Sequence, residues 1–260
     1  MKVVILAGGL GSRLSEETVQ RPKPMVEIGG RPILWHIMKL YGAAGLNDFV
    51  VCLGYKGFMI KEYFANMQLH DCDVTIDLAK SSISYHNSVR EPWRVTLVDT
   101  GADTLTGGRL KRVAGLLEPD EPFCFTYGDG LADIDFARQV AFHRAHGRQA
   151  TITAVIPPGR YGALELDGDR VARFTEKPPG DNSLINGGFF VLDPAVVSRI
   201  KDDTTPWESE PVEGLAADGQ LVAYRHDGFW QAMDTLRDKN QLEALWNTGR
   251  APWALWEPAA

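Results

Sequence analysis

Apolar positions along the chain gather into short runs cut by glycine. The first, Lys2 to Ala7 (KVVILA), carries no polar side chain after its lysine. Such a run suits a strand covered on both faces in a parallel sheet, where the usual alternation is lost. Helical spacing takes over from Pro32 to Ala44, with Ile33, Ile37 and Leu40 on one stripe, and a second apolar run follows from Phe49 to Leu53. Strand, helix and strand in that order predict a βαβ unit. The same reading predicts helix over 57–66, strands over 74–78 and 95–98, helix over 108–117, strand over 123–127, helix over 136–146 and strand over 150–156. After Pro157 the pattern shortens to alternating segments over 163–167 and 170–175 around Asp167-Gly168-Asp169, a hairpin signal. A strand over 189–192 and a helix over 194–200 come next. No repeat or linker divides the chain, which predicts one domain over 1–260. The Trp246 to Trp256 segment is apolar enough to pack on this core or on another subunit, and its residues leave both open.

Composition narrows the functions available. With 44% hydrophobic, 10% aromatic and 23% charged residues, the 260-residue chain has the apolar content of an ordinary globular protein. Its 27 basic and 34 acidic residues, net -7, create no field to draw a nucleic acid. Any phosphate must be gripped locally. Cys52, Cys72 and Cys124 form no CxxC pair, so neither structural zinc nor a disulfide framework is expected, and a reducing cytoplasmic setting is. The first apolar run is broken by glycines and reads as a strand rather than a leader. No run approaches the roughly 18 apolar residues of a membrane span. Glycine, at 26 residues, is in surplus, and its placement is informative.

Ala7-Gly8-Gly9-Leu10-Gly11-Ser12-Arg13 follows the first strand directly, which puts it at the carboxyl edge of the sheet, where open α/β folds hold ligands. Its three glycines let backbone N–H groups close on a phosphate or a base edge, and Arg13 adds a guanidinium. The loop departs from the dinucleotide fingerprint because Leu14 stands where the third small residue belongs, and no Gly-Lys-Ser/Thr follows for a Walker A loop. Lys23 stands between Pro22 and Pro24, whose fixed φ angles stiffen the backbone under a cation close to this loop.

These features taken singly also have plainer readings: a glycine turn, solvated charges at Arg13 and Lys23, a turn aspartate at Asp129, a helix N-cap at Asp234, and a capped first turn over Thr104 to Arg109. His143 and His146, three apart on a predicted helix, have no third ligand nearby and read as helix-face residues. Cys124 and the Trp35 to Leu40 stripe read as packing.

Together, LAGGLGSRL, KPMVEIGGRPIL, YGDG at 127–130, EKP at 176–178, INGGFFVL at 185–192 and FWQAMDTLRDK at 229–239 resemble the signature of the sugar-phosphate nucleotidylyltransferases. Ser12 stands where many relatives have threonine, and both carry a hydroxyl. The resemblance implies a Rossmann-like α/β fold: a mixed, mostly parallel sheet flanked by helices, with a small β-rich sugar-binding insertion. Residues 1–156 would be mainly the nucleotide-binding half, and 157–260 mainly the sugar-phosphate half with a C-terminal oligomerisation segment.

Within the family, EETVQRPKPMVEIGG, DTLTGGRLKRV and FWQAMDTLRD resemble the branch that joins CTP and α-D-glucose 1-phosphate into CDP-glucose for dideoxysugars such as those of lipopolysaccharide O-antigen. By that resemblance Asp129 and Asp234 hold Mg²⁺, Arg13 the β- and γ-phosphates, and Lys23 the α-phosphate. Lys177 would meet the sugar phosphate and Glu176 the sugar hydroxyls; Asn186 and Gly187 would line the sugar pocket, with Gly162 permitting close approach. Thr104 and Arg109 would contact the nucleotide, Arg109 at the cytosine carbonyl. Backbone groups of Leu6, Ala7, Gly8 and Gly9 would read the pyrimidine, Gly11 and Ser12 would complete the phosphate loop, and Gly128 would flank Asp129. A homo-oligomer is implied, with a hexamer among the assemblies expected. Two other readings stay open: a UDP- or dTDP-sugar synthetase of the same fold, and a non-catalytic nucleotide-sensing subunit, which retention of the charged set disfavours.

Overall fold

Seven strands form the central sheet of the computed structural model, which describes residues 1–87, 90–158, 163–167, 169–175 and 184–256. They are β1 (Lys2–Ala7), β2 (Asp48–Leu53), β3 (Arg94–Asp99), β4 (Phe123–Tyr127), β5 (Ala150–Val155), β6 (Ile185–Leu192) and β7 (Leu221–His226), in spatial order β7-β5-β6-β4-β1-β2-β3. All neighbours pair in parallel except β6, which runs antiparallel to both β4 and β5. The mixed, mostly parallel α/β sheet is the expected fold. β1 to β5 come from residues before 156 and β6 and β7 from beyond it, so the sheet is continuous across that position.

The first apolar run shows why alternation vanished there. Val3, Ile5 and Ala7 face one core cluster while Val4 and Leu6 face another on the opposite side of the sheet. The longer helices are α1 (Ile33–Ala43), α2 (Gly57–Ala65), α3 (Thr106–Arg112), α4 (Phe136–His146), α5 (Glu210–Ala217) and α6 (Leu236–Asn247). Ile33, Ile37 and Leu40 of α1, Phe136 of α4 and Leu242 of α6 join the first cluster; Leu110 of α3 and Leu215 of α5 join the second.

Several elements differ from expectation. Asp73–Asp77 is a strand, but it pairs only with Ser82–His86 in a hairpin outside the sheet, with its apolar side chains exposed. α3 starts two residues early and ends at Arg112, yielding to a single tight turn over Ala114–Leu116. The early start is possible because Gly107 and Gly108 lie directly against the backbone of 203–207. Pro194–Arg199 is a 3-10 helix. β6 extends back to Ile185, since Ile185 and Asn186 continue the ladder with Val155 and Ala154 past a bulge.

The C-terminal tryptophans pack on this chain's own core. Trp253 is fully buried, and its indole N–H donates to His36 Nδ1 at 3.3 Å, while His36 Nε2 bonds the Ile28 carbonyl at 2.8 Å. Trp246 and Trp256 complete a ring cage around that imidazole. Burial pulls the His36 pKa down to about 4, and the nearby Arg31 charge adds to the effect.

Candidate active site

The carboxyl ends of β1 and β4 and the amino end of antiparallel β6 meet at one edge of the sheet, where they border a cleft of about 560 Å³. Every described residue expected at the site lines it: Leu6, Ala7, Gly8, Gly9, Gly11, Ser12, Arg13, Lys23, Thr104, Arg109, Gly128, Asp129, Asn186, Gly187 and Asp234. Gly162, Glu176 and Lys177 lie outside the described residues.

The loop after β1 is shaped by close packing. A Cβ on Gly8 would come within 2.1 Å of the Arg109 guanidinium. Gly11, at φ 63°, takes a left-handed turn that a side chain strains, and a Cβ there would press on Thr18 and Lys23. Arg109 is 4% exposed. Its Nη1 donates to Leu53 O, Thr100 Oγ1 and Gly101 O, and its Nη2 to Gly8 O and Ala102 O, at 2.8–3.2 Å. The guanidinium therefore ties the glycine loop to the ends of β2 and β3 from beneath, and it borders the cleft from there.

Lys23 holds the centre of the charged set. Its side chain is 12% exposed, and Nζ lies 2.6 Å from Asp129 Oδ2 and 2.8 Å from Asp234 Oδ1. Burial works against its charge, but the two carboxylates outweigh it and hold the ammonium above its usual value. Pro22 is extended, and Pro24 and Met25 are buried in a tight 3-10 turn, so the lysine stem starts from fixed backbone. Asp129 is carried by the turn between β4 and Gly130–Ala132, a short strand paired with Trp230–Ala232, which delivers Asp234. The N-cap of α6 is Thr235, in a capping box with Asp238, so the cap does not occupy Asp234. Arg13 Nη1 reaches Asp234 Oδ2 at 3.1 Å, but its side chain is 76% exposed, so this pair holds it weakly.

The carboxylates of Asp129 and Asp234 meet on a single ammonium, which makes them neighbours at one cation-sized point. Hard oxygen donors of that number suit Mg²⁺, which binds one or two carboxylates and fills its shell with water and phosphate oxygens. Among the described residues there is no cluster of three or more His, Cys, Asp or Glu placed for a metal. His143, 2% exposed, and His146 are instead joined through Thr151 Oγ1, with His143 Nε2 on Asp193 at 3.3 Å.

The cleft also contains residues whose types and spacing pointed to no role of their own, among them Thr106, Tyr127, Phe189 and Trp230. Trp230 donates from Nε1 to the Gly187 carbonyl at 2.7 Å, and Tyr127 donates to Glu208 at 2.6 Å. Burial, and then the Glu208 carboxylate, push the Tyr127 phenol well above its usual value. The available signal for Tyr127 was its place two residues before Asp129, on the same strand end.

A family model described as nucleotidyl transferase matches residues 2–233. Glucose-1-phosphate cytidylyltransferases from Salmonella typhi and Salmonella typhimurium are each 60% identical over 257 residues, 99% of this chain and 100% of theirs. A probable glucose-1-phosphate cytidylyltransferase from Bacillus subtilis is 43% identical over 257 residues, 98% of this chain and 100% of its own. Among solved structures, HddC from Yersinia pseudotuberculosis has a TM-score of 0.69 at 23% identity, covering 94% of this chain and 99% of its own, and thus shares the fold. With a family model matching residues 2–233 and relatives 60% identical over 99% of its length, the chain belongs to the nucleotidyl transferase family.

Proposed function

We propose that this chain transfers the cytidylyl group of CTP to α-D-glucose 1-phosphate, releasing pyrophosphate and forming CDP-glucose. The observation that carries this reading is 60% identity across the whole chain to glucose-1-phosphate cytidylyltransferases, and the geometry of the cleft supports it. A phosphate oxygen of the sugar phosphate attacks the α-phosphorus in line; that O–P bond forms as the bond from the α-phosphorus to the bridging oxygen breaks, and the electron pair leaves with pyrophosphate.

The nucleophile is already ionised, so no general base is required. The obstacle is charge: two unit charges 4 Å apart repel by about 4 kcal/mol even at an effective dielectric of 20. Lys23 and Arg13 answer it, Lys23 from its rigid turn toward the α-phosphate and Arg13 from its exposed position toward the departing phosphates. Asp129 and Asp234 would hold Mg²⁺, which when bound supplies the remaining positive charge between the two phosphates. Backbone groups of Leu6 to Gly9, with Gly11, Ser12, Gly128, Thr104 and Arg109, serve the nucleotide. Asn186 and Gly187 serve the sugar, joined by Gly162, Glu176 and Lys177. The chain acts in the cytoplasm as a homo-oligomer, a setting that its three free thiols support; no helix among the described residues is long and apolar enough to cross a membrane.

The test is incubation with each nucleoside triphosphate, Mg²⁺ and a panel of sugar 1-phosphates, with detection of pyrophosphate and nucleotide sugar. CDP-glucose is the expected product. Product with UTP or dTTP and none with CTP would overturn the reading, and so would no product with any pair.

A further inference from the structure

Behind the cleft wall, the Glu208 carboxylate accepts two hydroxyl hydrogen bonds, one on each oxygen. Tyr127 Oη donates to Oε1 at 2.6 Å and Thr106 Oγ1 to Oε2 at 2.7 Å. Both directions are set by the carboxylate, which only accepts. Thr106 Oγ1 already accepts the Trp207 backbone N–H at 2.8 Å, and Tyr127 Oη accepts a long bond of 3.5 Å from Asn186 Nδ2. Asn186 in turn accepts the Gly188 N–H on Oδ1 at 2.8 Å, which decides which way its amide faces. The Tyr127 ring is fixed as well: it meets Phe125 and Phe190 edge-on at 6.2 Å, and it lies so close over Gly188 that a Cβ there would come within 2.8 Å of the ring.

Glu208 stands on an anchored segment. Trp207 is fully buried between Phe125 and Phe190, and the Asp203 and Thr205 carbonyls take the N–H groups of Leu105 and Gly108. Thr106, Tyr127 and Asn186 line the cleft, whereas Glu208 does not.

We infer that Glu208 is a positioning residue for the sugar-phosphate side of the reaction: by accepting the Tyr127 proton it sets the Tyr127–Asn186 pair and so the pocket edge that meets the sugar. The inference rests on the proposed function, which places Asn186 at the sugar. A carboxylate is required because each of its oxygens takes a proton. A glutamine presents one acceptor oxygen and an N–H₂ group, which leaves one hydroxyl proton without a partner.

The test is steady-state kinetics of the wild type, Glu208→Gln, Tyr127→Phe and the double variant, varying CTP and the sugar phosphate separately, with thermal unfolding alongside. Each single variant is expected to raise KM for glucose 1-phosphate about 5- to 20-fold, less than the full loss of a charged hydrogen bond because the effect reaches the sugar through Tyr127 and Asn186, while KM for CTP stays within about twofold. The double variant should be no worse than the worse single one. The inference is overturned if KM for CTP moves instead, if the two effects multiply, or if KM for the sugar phosphate stays unchanged in either single variant. Should the wild type prefer a different triphosphate and sugar phosphate, the functional reading fails alone, and the same KM partition is read on the pair that turns over.

Discussion

Lys23 satisfies two carboxylates with one ammonium, and the site is balanced on that arrangement. Replacing it with methionine leaves Asp129 and Asp234 facing each other without the ammonium between them, while the exposed Arg13 stays beside Asp234. Turnover should fall by roughly 10²–10³-fold, the scale of losing one preorganised charge at the transition state. Thermal unfolding offers a second measure. Mg²⁺ should raise the midpoint of Lys23→Met more than that of the wild type, whose carboxylates are already paired; equal shifts would count against the pair as the cation site.

His36 makes a different prediction at the same scale. Its folded pKa, about 4, lies below the ordinary 6.5, so the unfolded chain binds its proton first as pH falls. The stability it contributes is complete above pH 6.5 and is lost as pH falls toward 4, a difference of about 3 kcal/mol for 2.5 units. His143 and His146 are depressed in the same direction and steepen the same window. His36→Gln keeps a donor for Ile28 and an acceptor for Trp253 but no longer titrates. Urea unfolding of this variant between pH 7.5 and 4.5 should therefore give a flatter slope than the wild type.

Among the elements, the loop after β1 separates two roles of glycine. Gly8 backs onto a guanidinium that five hydrogen bonds prevent from moving, whereas a Cβ on Gly9 would meet nothing within 4 Å. Gly8→Ala should cost about 1–3 kcal/mol of stability as overpacking. Gly9→Ala should stay within about 0.5 kcal/mol of wild type and alter only nucleotide KM. Denaturant midpoints measured beside KM decide it.

The same loop shows what sequence makes visible. Apolar runs ending in glycine marked β1, β2 and β4 correctly, because burial on both faces leaves a dense local pattern. The hairpin over 163–167 and 170–175 was readable from its turn. Over residues 201–236 no strand or helix was assigned, although the motif carrying Asp234 was, and Pro211 near the start of α5 and Thr235 with Asp238 at α6 are ordinary start signals. β7 alternates too weakly at its half-exposed edge to stand out. Site residues with their own chemistry, such as Lys23 and Asp129, could be named in advance. Thr106, Tyr127 and Glu208 could not, since their meaning comes from pairing across 102 and 81 positions. Arg109 was visible as a cation but not as the brace beneath the glycine loop, since four of its five partners are backbone carbonyls and the five come from three separate stretches.

For the molecule as a whole, a net charge of -7 means that two anionic substrates are received by an acidic protein. Its placed cations at the described cleft edge are few, and Lys23 is already shared between two aspartates. Activity should therefore vanish in excess EDTA and return with Mg²⁺, while folding, read by circular dichroism, stays unchanged; pyrophosphate release that persists in chelator would refute this.

The reversed strand has a consequence for how such an enzyme changes its acceptor. Because β6 runs against β5, the chain leaves the sheet at Val155 and re-enters at Ile185, and these two residues are ladder partners. The stretch between them starts and ends at a single hydrogen-bonded pair on the ligand edge. A segment with its two ends already closed together can be lengthened, shortened or exchanged at little entropic cost to the core. This strand pair thus makes a natural splice point: a chimera joined at 155 and 185 should keep the stability of its sheet, and a change in its KM for sugar phosphates would follow from the residues we propose at the sugar within the insert, Gly162, Glu176 and Lys177.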